Sequence, residues 1–448
     1  MGQNIKIKRG MDIKLEGAPS LDVHQANSPA TFAVKPTDFK GLVPKMHVKQ
    51  GDEVQAGDCL FADKKNDKIC FTAPVSGEIA EVVRGDRRAI LAVKILADSE
   101  IVYKSFNTSG FLNKSRDEVV ELLLASGLWP FIIQRPYGVL ADPSIAPKSI
   151  HVSGFDSAPL AADLSISLKG QEDNLKTGFE IIKKLTEGKV HLNVHATKDS
   201  SIYNSLEGLE KTIFSGPHPS GLVGVQINKI DPINKGDIVW TIKPQHVAFI
   251  GKFFETGNLD LEQTIVVAGS EIRKPAYYAT RLGASVSELL KNNVASDNVR
   301  VISGNVLTGS KIAQDGYLGY YDNQISLIPE GDHFEMLGWL LPSYPRPTLS
   351  STFPLFKFFK KTFKVNTNPH GEHRAYVVTG QYEKVMPMNI MPQQLIKSVM
   401  AKDLELMENL GIYEVIEEDM ALCEFVCTSK IDVQRVLSEG LELMAEES

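Results

Sequence analysis

Short strands separated by glycine turns are the feature that most restricts the fold of the first hundred residues. From about residue 31 to 96, β-branched and polar residues occur at strand spacing in MHVKQGDEV, GDCLFAD, KICFTAPVSGEIAEVV and RAILAVKIL. Gly–Asp pairs at 51–52, 57–58 and 85–86, together with Gly77, supply the turns. The pattern predicts a small all-β module.

One hairpin of this module, FADKKNDKICFTAPVSGEIAE at 61–81, is similar to the hairpin that carries the swinging cofactor of lipoyl and biotinyl carrier domains. The lysines that could carry such a cofactor are Lys64, Lys65 and Lys68. Counting along the carrier pattern from either side places the modified position at Asn66 or Asp67, and neither is a lysine. We therefore expect a lipoyl-like module that serves packing and carries no arm.

The middle of the chain alternates strands with helices. A capping box that opens at Ser115 predicts a helix ending at Gly127. Further on, SIHVSGF (149–155) and KVHLNVH (189–195) have strand character and flank the amphipathic helix NLKTGFEIIKKLTEG (174–188). This alternation predicts parallel βαβ units in an α/β domain.

The last part of the chain has two further patterns. After a helix across 244–256, TIVVAG (264–269) begins a β-grasp order of strand, strand, helix and strand, and from about 391 the chain is helical and acidic. We therefore expect a multidomain α/β and α+β protein. Its parts are an N-terminal segment with a lipoyl-like β barrel-sandwich module (1–100), a Rossmann-like α/β domain without a flavin motif (101–259), a β-grasp, SLBB-like module (260–330), and a linker with a C-terminal helical domain (331–448).

Composition excludes several classes of protein. The chain has 448 residues, 43% of them apolar and 23% charged, with a net charge of −7. The surplus of Lys and Arg that binding to nucleic acid requires is absent. Four cysteines are too few for a disulfide framework, and no apolar run approaches the ~20 residues of a membrane-spanning helix. We expect a soluble chain in a reducing compartment, or one that sits on a membrane without crossing it.

Two glycine-rich stretches are candidate ligand loops, although no G-x-G-x-x-G follows a strand to support a nicotinamide or flavin site. GNVLTGSK (304–311) has P-loop glycine spacing, but serine precedes lysine, so we expect an ordinary turn. SGPHPSGLVGVQI (215–227) holds His218 between two prolines and lets the backbone approach a ligand at Gly221. Such a loop suits a ligand with a carbonyl group; a structural turn with a solvent-facing histidine is the alternative.

Neither a metal site nor a catalytic residue is predicted. His370 and His373 lie in PHGEHR, where proline and glycine disfavour a helix, and no further ligand is near in sequence. Cys423 and Cys427 lack the repeated Cys-x-x-Cys spacing of iron–sulfur clusters. We expect these two cysteines to be buried and structural.

A basic and aromatic stretch, STFPLFKFFKKTFK (351–364), is the candidate for docking. On a helix its aromatic residues would share one face, and its lysines would add positive charge. The candidates are Phe356, Phe359, Phe363, Lys360 and Lys361. Such a face suits an anionic membrane surface or an acidic partner groove; a core-facing helix with a solvated basic side is the alternative.

Over nearly its whole length, the chain resembles the A subunit of the bacterial Na⁺-translocating NADH:quinone reductase. The matching segments occur in the order found in that family. They are IKIKRGMDIKLEGAP (5–19), VPKMHVKQGDEVQAGDCLFADKKN (43–66), FTAPVSG (71–77), SGLWPFIIQRPYG (126–138), GPHPSGLVG (216–224), VRVISGNVLTG (299–309), GQYEKVMPMNIMP (380–392) and EEDMALCEFVCTSK (417–430).

This family is itself related to the flavin-binding subunit of respiratory complex I and to the cluster-bearing subunit of the Rnf complex. Where those relatives have a flavin loop of the GLGGAGFPT type, this chain has SGLWPFIIQRPYG with Trp129, Phe131 and Ile132. Their NxxECEP segment corresponds here to SGFDSAP (153–159), and their cysteine-rich region is reduced to two cysteines. The resemblance therefore implies an architecture that is kept without flavin or clusters.

The resemblance implies a peripheral subunit on the cytoplasmic face of the bacterial inner membrane. Partner subunits would hold the flavins and an iron–sulfur centre that pass electrons from NADH to quinone while sodium is exported. This chain, without a cofactor or redox step of its own, would dock on the membrane subunits near the quinone site. His218, Gly221 and Phe155 are the candidate quinone contacts. A free-standing flavin or nicotinamide oxidoreductase and a carrier protein are the alternatives.

Overall fold

The computed structural model describes residues 3–333, 346–349 and 362–447. In these ranges the chain forms a barrel of two small sheets, a seven-stranded sheet, a six-stranded sheet and a group of C-terminal helices. One apolar cluster runs from the barrel into the seven-stranded sheet, and a second joins that sheet to the C-terminal helices. None of the helices in these ranges combines the length and hydropathy that crossing a membrane requires.

Nine strands lie in the described residues 3–100. They are β1 Gln3–Lys6, β2 Val23–Gln25, β3 Thr31–Val34, β4 Pro44–Met46, β5 Glu53–Val54, β6 Cys59–Asp63, β7 Asn66–Thr72, β8 Gly77–Arg84 and β9 Ile90–Ala97. The barrel consists of a four-stranded sheet in the order β3-β9-β8-β5 and a three-stranded sheet in the order β4-β6-β7. The buried rings of Phe61 and Phe71 stack at 4.8 Å, and Phe39 lies 4.3 Å from Phe71. Aromatic side chains therefore fill the interior of the barrel.

The first two strands belong to other sheets, although the sequence pattern grouped them with the barrel in residues 1–100. β1 pairs in parallel with a strand of the seven-stranded sheet at 210–215, and β2 pairs in parallel with a strand of the six-stranded sheet at 276–281. Strands of three or four residues are not stable alone, so each uses the free edge of a larger sheet. The N-terminal segment thus ties the barrel to both sheets.

The seven-stranded sheet and its helices occupy the middle of the chain. The elements are α1 Arg116–Ser126, β10 Ile133–Arg135, β11 Val139–Leu140, β12 Ser149–Ser153, α2 Leu164–Ser167, α3 Glu172–Lys183, β13 Lys189–His195, β14 Glu210–Ser215, α4 Val223–Ile230, β15 Val239–Thr241 and α5 Pro244–Thr256. The strand order is β1-β14-β13-β12-β15-β10-β11, and the run from β14 to β15 is parallel. The predicted βαβ alternation is confirmed.

Helices cover both faces of this sheet. α3 and α5 pack against each other on one face, where Phe179 and Val247 join the cluster shared with the barrel. α4 covers the other face, where Val225 and Ile227 join the cluster shared with the C-terminal helices. Burial on both faces is the usual condition of parallel strands.

The six-stranded sheet follows. Its remaining elements are β16 Glu262–Ala268, β17 Ala276–Arg281, α6 Ser287–Leu290, β18 Val299–Ser303, β19 Ser310–Ile312 and β20 Gln324–Pro329, and the strand order is β19-β18-β20-β16-β17-β2. The P-loop-like stretch at 304–311 connects the antiparallel pair β18 and β19. It is therefore a hairpin turn, as expected, and does not lead from a strand into a helix.

Five short helices complete the described chain. They are α7 Tyr382–Val385, α8 Pro392–Ala401, α9 Leu404–Asn409, α10 Glu417–Phe425 and α11 Val433–Glu446. Their apolar faces pack on the N-terminal segment through Ile7, Ile13 and Leu15. Cys423 and Cys427 are buried, which confirms that expectation. Among the described residues, no group of three or more His, Cys, Asp or Glu could hold a metal ion.

His151, His191 and His246 are buried histidines of the α/β region. His151 on β12 and His191 on β13 are opposite each other in register, and their rings stack at 4.3 Å. Burial lowers the pKa of His151 and that of His246 on α5 well below 6.5, and burial also lowers the pKa of His191. At neutral pH the folded protein therefore holds these rings uncharged.

We expect the protein to lose stability as the pH falls below 6.5. The unfolded chain protonates these histidines below that value while the folded chain keeps them neutral, so the unfolded state binds more protons and the free energy of unfolding falls with pH. Between the ordinary pKa and about pH 5.5, the loss is about 1 kcal/mol each for His151 and His246. Urea unfolding at several pH values measures this loss.

A single variant tests the assignment. His151→Asn should reduce the pH dependence of unfolding, because an amide side chain does not titrate in this range. An identical dependence in this variant and the parent protein would contradict the assignment to buried histidines.

Candidate functional site

A cleft of about 470 Å³ opens at the carboxyl ends of β12 and β15. β13 and β14 extend the sheet on one side of β12, and the chain then returns to place β15 on the other side. Open α/β sheets bind ligands at such a reversal of the strand order. The walls of the cleft come from the starts of α4 and α5, the barrel, the six-stranded sheet and α10.

Two of the three predicted ligand contacts line this cleft. Phe155 follows β12, and Gly221 precedes α4. The Ser153 hydroxyl oxygen lies 2.9 Å from the carbonyl oxygens of both residues, and Gln226 Nε2 donates to the same hydroxyl at 2.8 Å. This network holds the two loops in a fixed arrangement at the cleft.

The third predicted contact, His218, lies behind the cleft wall and is not among the residues that line the cleft. Its side chain is 3% exposed, and burial lowers its pKa. Its Nδ1 lies 3.0 Å from the Ser157 hydroxyl, its backbone N–H donates to Asp12 Oδ1 at 2.9 Å, and its carbonyl accepts from Met11 at 2.8 Å. The alternative of a solvent-facing histidine is wrong, because the N-terminal segment covers this loop.

His246 is a cleft residue that the sequence patterns did not reveal. It lies in the first turn of α5, is 2% exposed, and its ring centroid lies 4.2 Å from that of Phe131 and 6.1 Å from that of Tyr321. An imidazole in the first turn of a predicted helix that directly follows a strand was the available signal. Its ring is a neutral polar group beside flat aromatic walls.

Ion pairs join three parts of the protein at the cleft. Arg135 on β10 is 1% exposed, and its Nη1 and Nη2 lie 2.6 Å from Asp419 Oδ2 and 2.8 Å from Glu418 Oε1. Lys40 of the barrel pairs with Glu417. All three carboxylates lie in the first turn of α10, where the helix dipole favours negative charge. These contacts fix α10 against the sheet and the barrel.

The position of the flavin loop in the distant relatives is filled by side chains here. Trp129 Nε1 donates to the Ala141 carbonyl at 2.7 Å, and its ring meets Trp240 edge to face at 5.4 Å. Phe131 stacks on Tyr320 at 4.7 Å. Because Trp129 and Trp240 are fully buried, these two residues do not fit a flavin at this position, whereas Phe131 also lines the cleft.

Most of the predicted docking stretch lies outside the described residues. The candidates outside are Phe356, Phe359, Lys360 and Lys361. Phe363 is described; it is partly buried and forms a parallel bridge with Leu15. Lys364 pairs with Glu271 at 2.6 Å. The end of the stretch is therefore held by the N-terminal segment and by the unit of the six-stranded sheet.

The carrier-like hairpin has Lys64 and Lys65 in the turn between β6 and β7. Asn66 and Asp67, which the count along the sequence identified, already belong to β7. The pairing of β6 with β7 shifts register near this tip, and such a shift cannot be counted from the sequence. Absence of a swinging arm stays a prediction.

Three known families match consecutive parts of the chain. The family described as the NqrA N-terminal barrel-sandwich hybrid domain matches residues 5–98, the NqrA second alpha/beta domain matches 114–259, and the NQRA C-terminal domain, an SLBB family, matches 264–314. The predicted barrel-sandwich module, α/β domain and SLBB-like module are confirmed.

Curated relatives match the chain from end to end. The A subunit of the Na⁺-translocating NADH-quinone reductase of Yersinia pestis bv. Antiqua (strain Angola) is 35% identical over 446 residues, which is 99% of this chain and 100% of the relative. The subunit of the same name from Neisseria meningitidis serogroup B (strain ATCC BAA-335 / MC58) is 38% identical over 448 residues, with the same coverage. A solved structure of an NAD⁺-reducing nickel–iron hydrogenase in the air-oxidized state, at 9% identity and a TM-score of 0.36 over 78% of this chain and 68% of that one, is too dissimilar to argue from. As the sequence resemblance predicted, the chain belongs to the NqrA family, which is the family of the A subunit of the Na⁺-translocating NADH-quinone reductase.

Proposed function

We propose that the chain is a peripheral subunit of a Na⁺-translocating NADH:quinone reductase, which supports electron transfer from NADH to quinone without a redox centre of its own. The names of its full-length relatives support the assignment to this complex. The packed rings of Trp129 and Trp240 at the flavin position of distant relatives support the lack of a flavin. Flavins and an iron–sulfur centre would lie in partner subunits, and the membrane subunits would hold this chain at the cytoplasmic face.

The cleft at the reversal of the strand order suggests where quinone would bind. A quinone head group is a flat ring with two carbonyl acceptors, and small-molecule sites combine apolar and aromatic walls with a few placed polar groups. Phe155, Phe131 and His246 supply this combination here. Because burial keeps His246 neutral, one ring nitrogen carries a proton that can be donated to a carbonyl oxygen. We propose that the cleft receives the quinone head group.

Docking is the second part of the proposal. The basic and aromatic stretch at 351–364 is assigned to contact with the membrane subunits or the anionic membrane surface. The bridge between Phe363 and Leu15 supports this assignment only for the end of the stretch, which it places beside the N-terminal segment. The subunit would then present its cleft close to the site where quinone is reduced.

A pull-down from native membranes with a tag on this chain tests the assignment to the complex. We expect the remaining subunits to be recovered together with Na⁺-stimulated NADH:quinone activity. Recovery of the chain alone with a stoichiometric flavin would overturn the proposal in favour of a free-standing oxidoreductase.

His246→Phe tests the assignment of the cleft within the assembled complex. The variant keeps an aromatic ring but removes the proposed hydrogen bond, worth about 0.5–1.5 kcal/mol, so the KM for quinone should rise roughly two- to twelvefold. Oxidation of NADH with a soluble electron acceptor should be unchanged, because it does not use the cleft. His24→Phe on the exposed strand β2 is the matched control. An unchanged KM in a fully assembled His246→Phe complex would remove quinone from this cleft.

A further inference from the structure

Two thiols lie side by side on the outer face of a barrel hairpin. Cys59 on β6 is opposite Thr72 on β7, and the pairing shifts register between Cys59 and Phe61. This shift turns Phe61 inward, where it stacks on Phe71, and leaves Cys59 on the same face as Cys70. Neighbouring positions on one face of a hairpin bring the two side chains within reach of each other. Both are half-buried, so small reagents can reach them.

The two thiols differ in their surroundings. Its contact with Cys59 lowers the pKa of the Cys70 thiol against partial burial, and the same contact raises the pKa of the Cys59 thiol. The positive charge of Lys104 lowers the pKa of both thiols. The segment that carries Lys104 is fixed beside β6, because its backbone N–H donates to the Ala56 carbonyl at 3.0 Å and its Nζ lies 3.2 Å from Asp58 Oδ1. Cys59 Sγ lies 3.4 Å from the Phe61 carbonyl oxygen, to which it donates its proton in a hydrogen bond. Cys59 therefore keeps its proton, and Cys70, whose pKa is lowered, is the more nucleophilic sulfur.

We propose that Cys59 and Cys70 form a redox-active dithiol that closes reversibly to an intrachain disulfide by exchange with a low-molecular-weight disulfide such as oxidised glutathione. The Cys70 thiolate attacks one glutathione sulfur, the glutathione disulfide bond breaks, and one glutathione thiolate leaves. Cys59 then loses its proton to solvent and attacks the Cys70 sulfur, which releases the second glutathione. Two protein thiols are oxidised, and one glutathione disulfide is reduced to two thiols.

The position of the pair favours a bond that is easily reversed. Because Cys59 lies opposite Thr72 and not opposite Cys70, a disulfide must span a diagonal of the hairpin. Bonds formed away from the preferred geometry are strained and more readily reduced. Cys423 and Cys427 provide an internal contrast, since they are buried and burial raises the pKa of Cys423 well above its ordinary value. The exchange is thus confined to the barrel hairpin.

The test exposes the full chain to oxidised glutathione, then alkylates the remaining thiols and identifies the products by mass spectrometry. We expect the chain to lose two hydrogen atoms, and a peptide digest to link Cys59 with Cys70 while Cys423 and Cys427 stay reduced. Reduced glutathione should reopen the link. A wild-type chain that carries glutathione on single cysteines without an internal link, or that does not react at all, would overturn the proposal.

Variants separate the roles of the two sulfurs. Cys59→Ser should stop at a stable mixed disulfide with glutathione on Cys70, whereas Cys70→Ser should react at least about tenfold more slowly. Lys104→Gln should slow the first exchange by roughly three- to fivefold. Equal rates for the two cysteine variants would contradict the assignment of Cys70 as the attacking sulfur.

Discussion

Replacing Arg135 by methionine is expected to lower the free energy of unfolding by about 3–5 kcal/mol, because removing one partner of a buried ion pair leaves the other charge in the interior. The Asp419 side chain is fully buried and lies 2.6 Å from Arg135 Nη1. A β-carbon at Gly224 on α4 would lie 2.3 Å from Asp419 Oδ1 and 2.4 Å from Arg135 Nη1, so no side chain could fit there without moving the pair. The enclosed carboxylate therefore has little room to reach water once the guanidinium is gone.

Urea unfolding followed by tryptophan fluorescence measures this loss, since Trp129 and Trp240 are buried near β10. The double variant Arg135→Met with Asp419→Leu should recover part of the stability, because no unpaired charge stays in the interior. Lys40→Met is the matched control. It breaks a pair whose side chains are 21% and 28% exposed, and should cost under about 1 kcal/mol. An Arg135→Met protein as stable as the Lys40→Met protein would mean that the pair does not hold α10.

Helices and strands whose ends are determined by residues close in sequence could be predicted. Ser115 caps α1 through a reciprocal pair of hydrogen bonds with Glu118, and Gly127 ends the helix with φ at 77°, as the capping pattern predicted. The strand predicted at 149–155 is observed at 149–153, and its first four residues are all buried, as in a parallel strand that is covered on both faces. In each case, the residues that decide the structure lie within a few positions of each other.

Contacts between distant parts of the chain could not be predicted in this way. Arg135 and Asp419 are separated by 284 positions, and neither shows a local signal of its partner. The burial of His218 has the same origin, since it depends on Met11 and Asp12 crossing the loop. A charged group or an imidazole in a loop is expected to be exposed to solvent. Whether another segment covers it depends on the path of the whole chain, which local sequence patterns do not show.

The residues of the candidate site also fall into those that local sequence could predict and those that depend on distant contacts. Gly221 could be proposed because it lies in a glycine-rich loop beside an α/β sheet, and Phe155 was proposed with the family resemblance. His246 could not, because its role depends on the reversal of strand order that brings the start of α5 beside β12. From the sequence, His246 is recognisable only as an imidazole in the first turn of a predicted helix that follows a strand. The edge of the sheet was predictable, and the composition of the cleft wall was not.

The close crossing of α3 and α5 leads to the second large effect: Gly251→Val should lower the free energy of unfolding by about 3 kcal/mol, at the upper end of the usual cost of overpacking a core. A β-carbon at Gly251 would lie 1.8 Å from the Asn174 carbonyl oxygen, and one at Gly178 would lie 2.1 Å from the Val247 carbonyl oxygen. The two backbones are therefore in direct contact. A carbonyl within a helix cannot rotate away as a side chain can, so the helices must move apart.

Thermal and urea unfolding compare Gly251→Val with Ala125→Val, which adds methyl groups at an exposed position of α1 and should change stability by no more than about 0.5 kcal/mol. Because α5 also carries His246 into the cleft, separation of the helices should raise the KM for quinone as well as lower stability, whereas the control should change neither. If Gly251→Val were as stable as the control, α5 would be free to shift along α3. The cleft wall would then not be the rigid surface on which quinone binding is proposed.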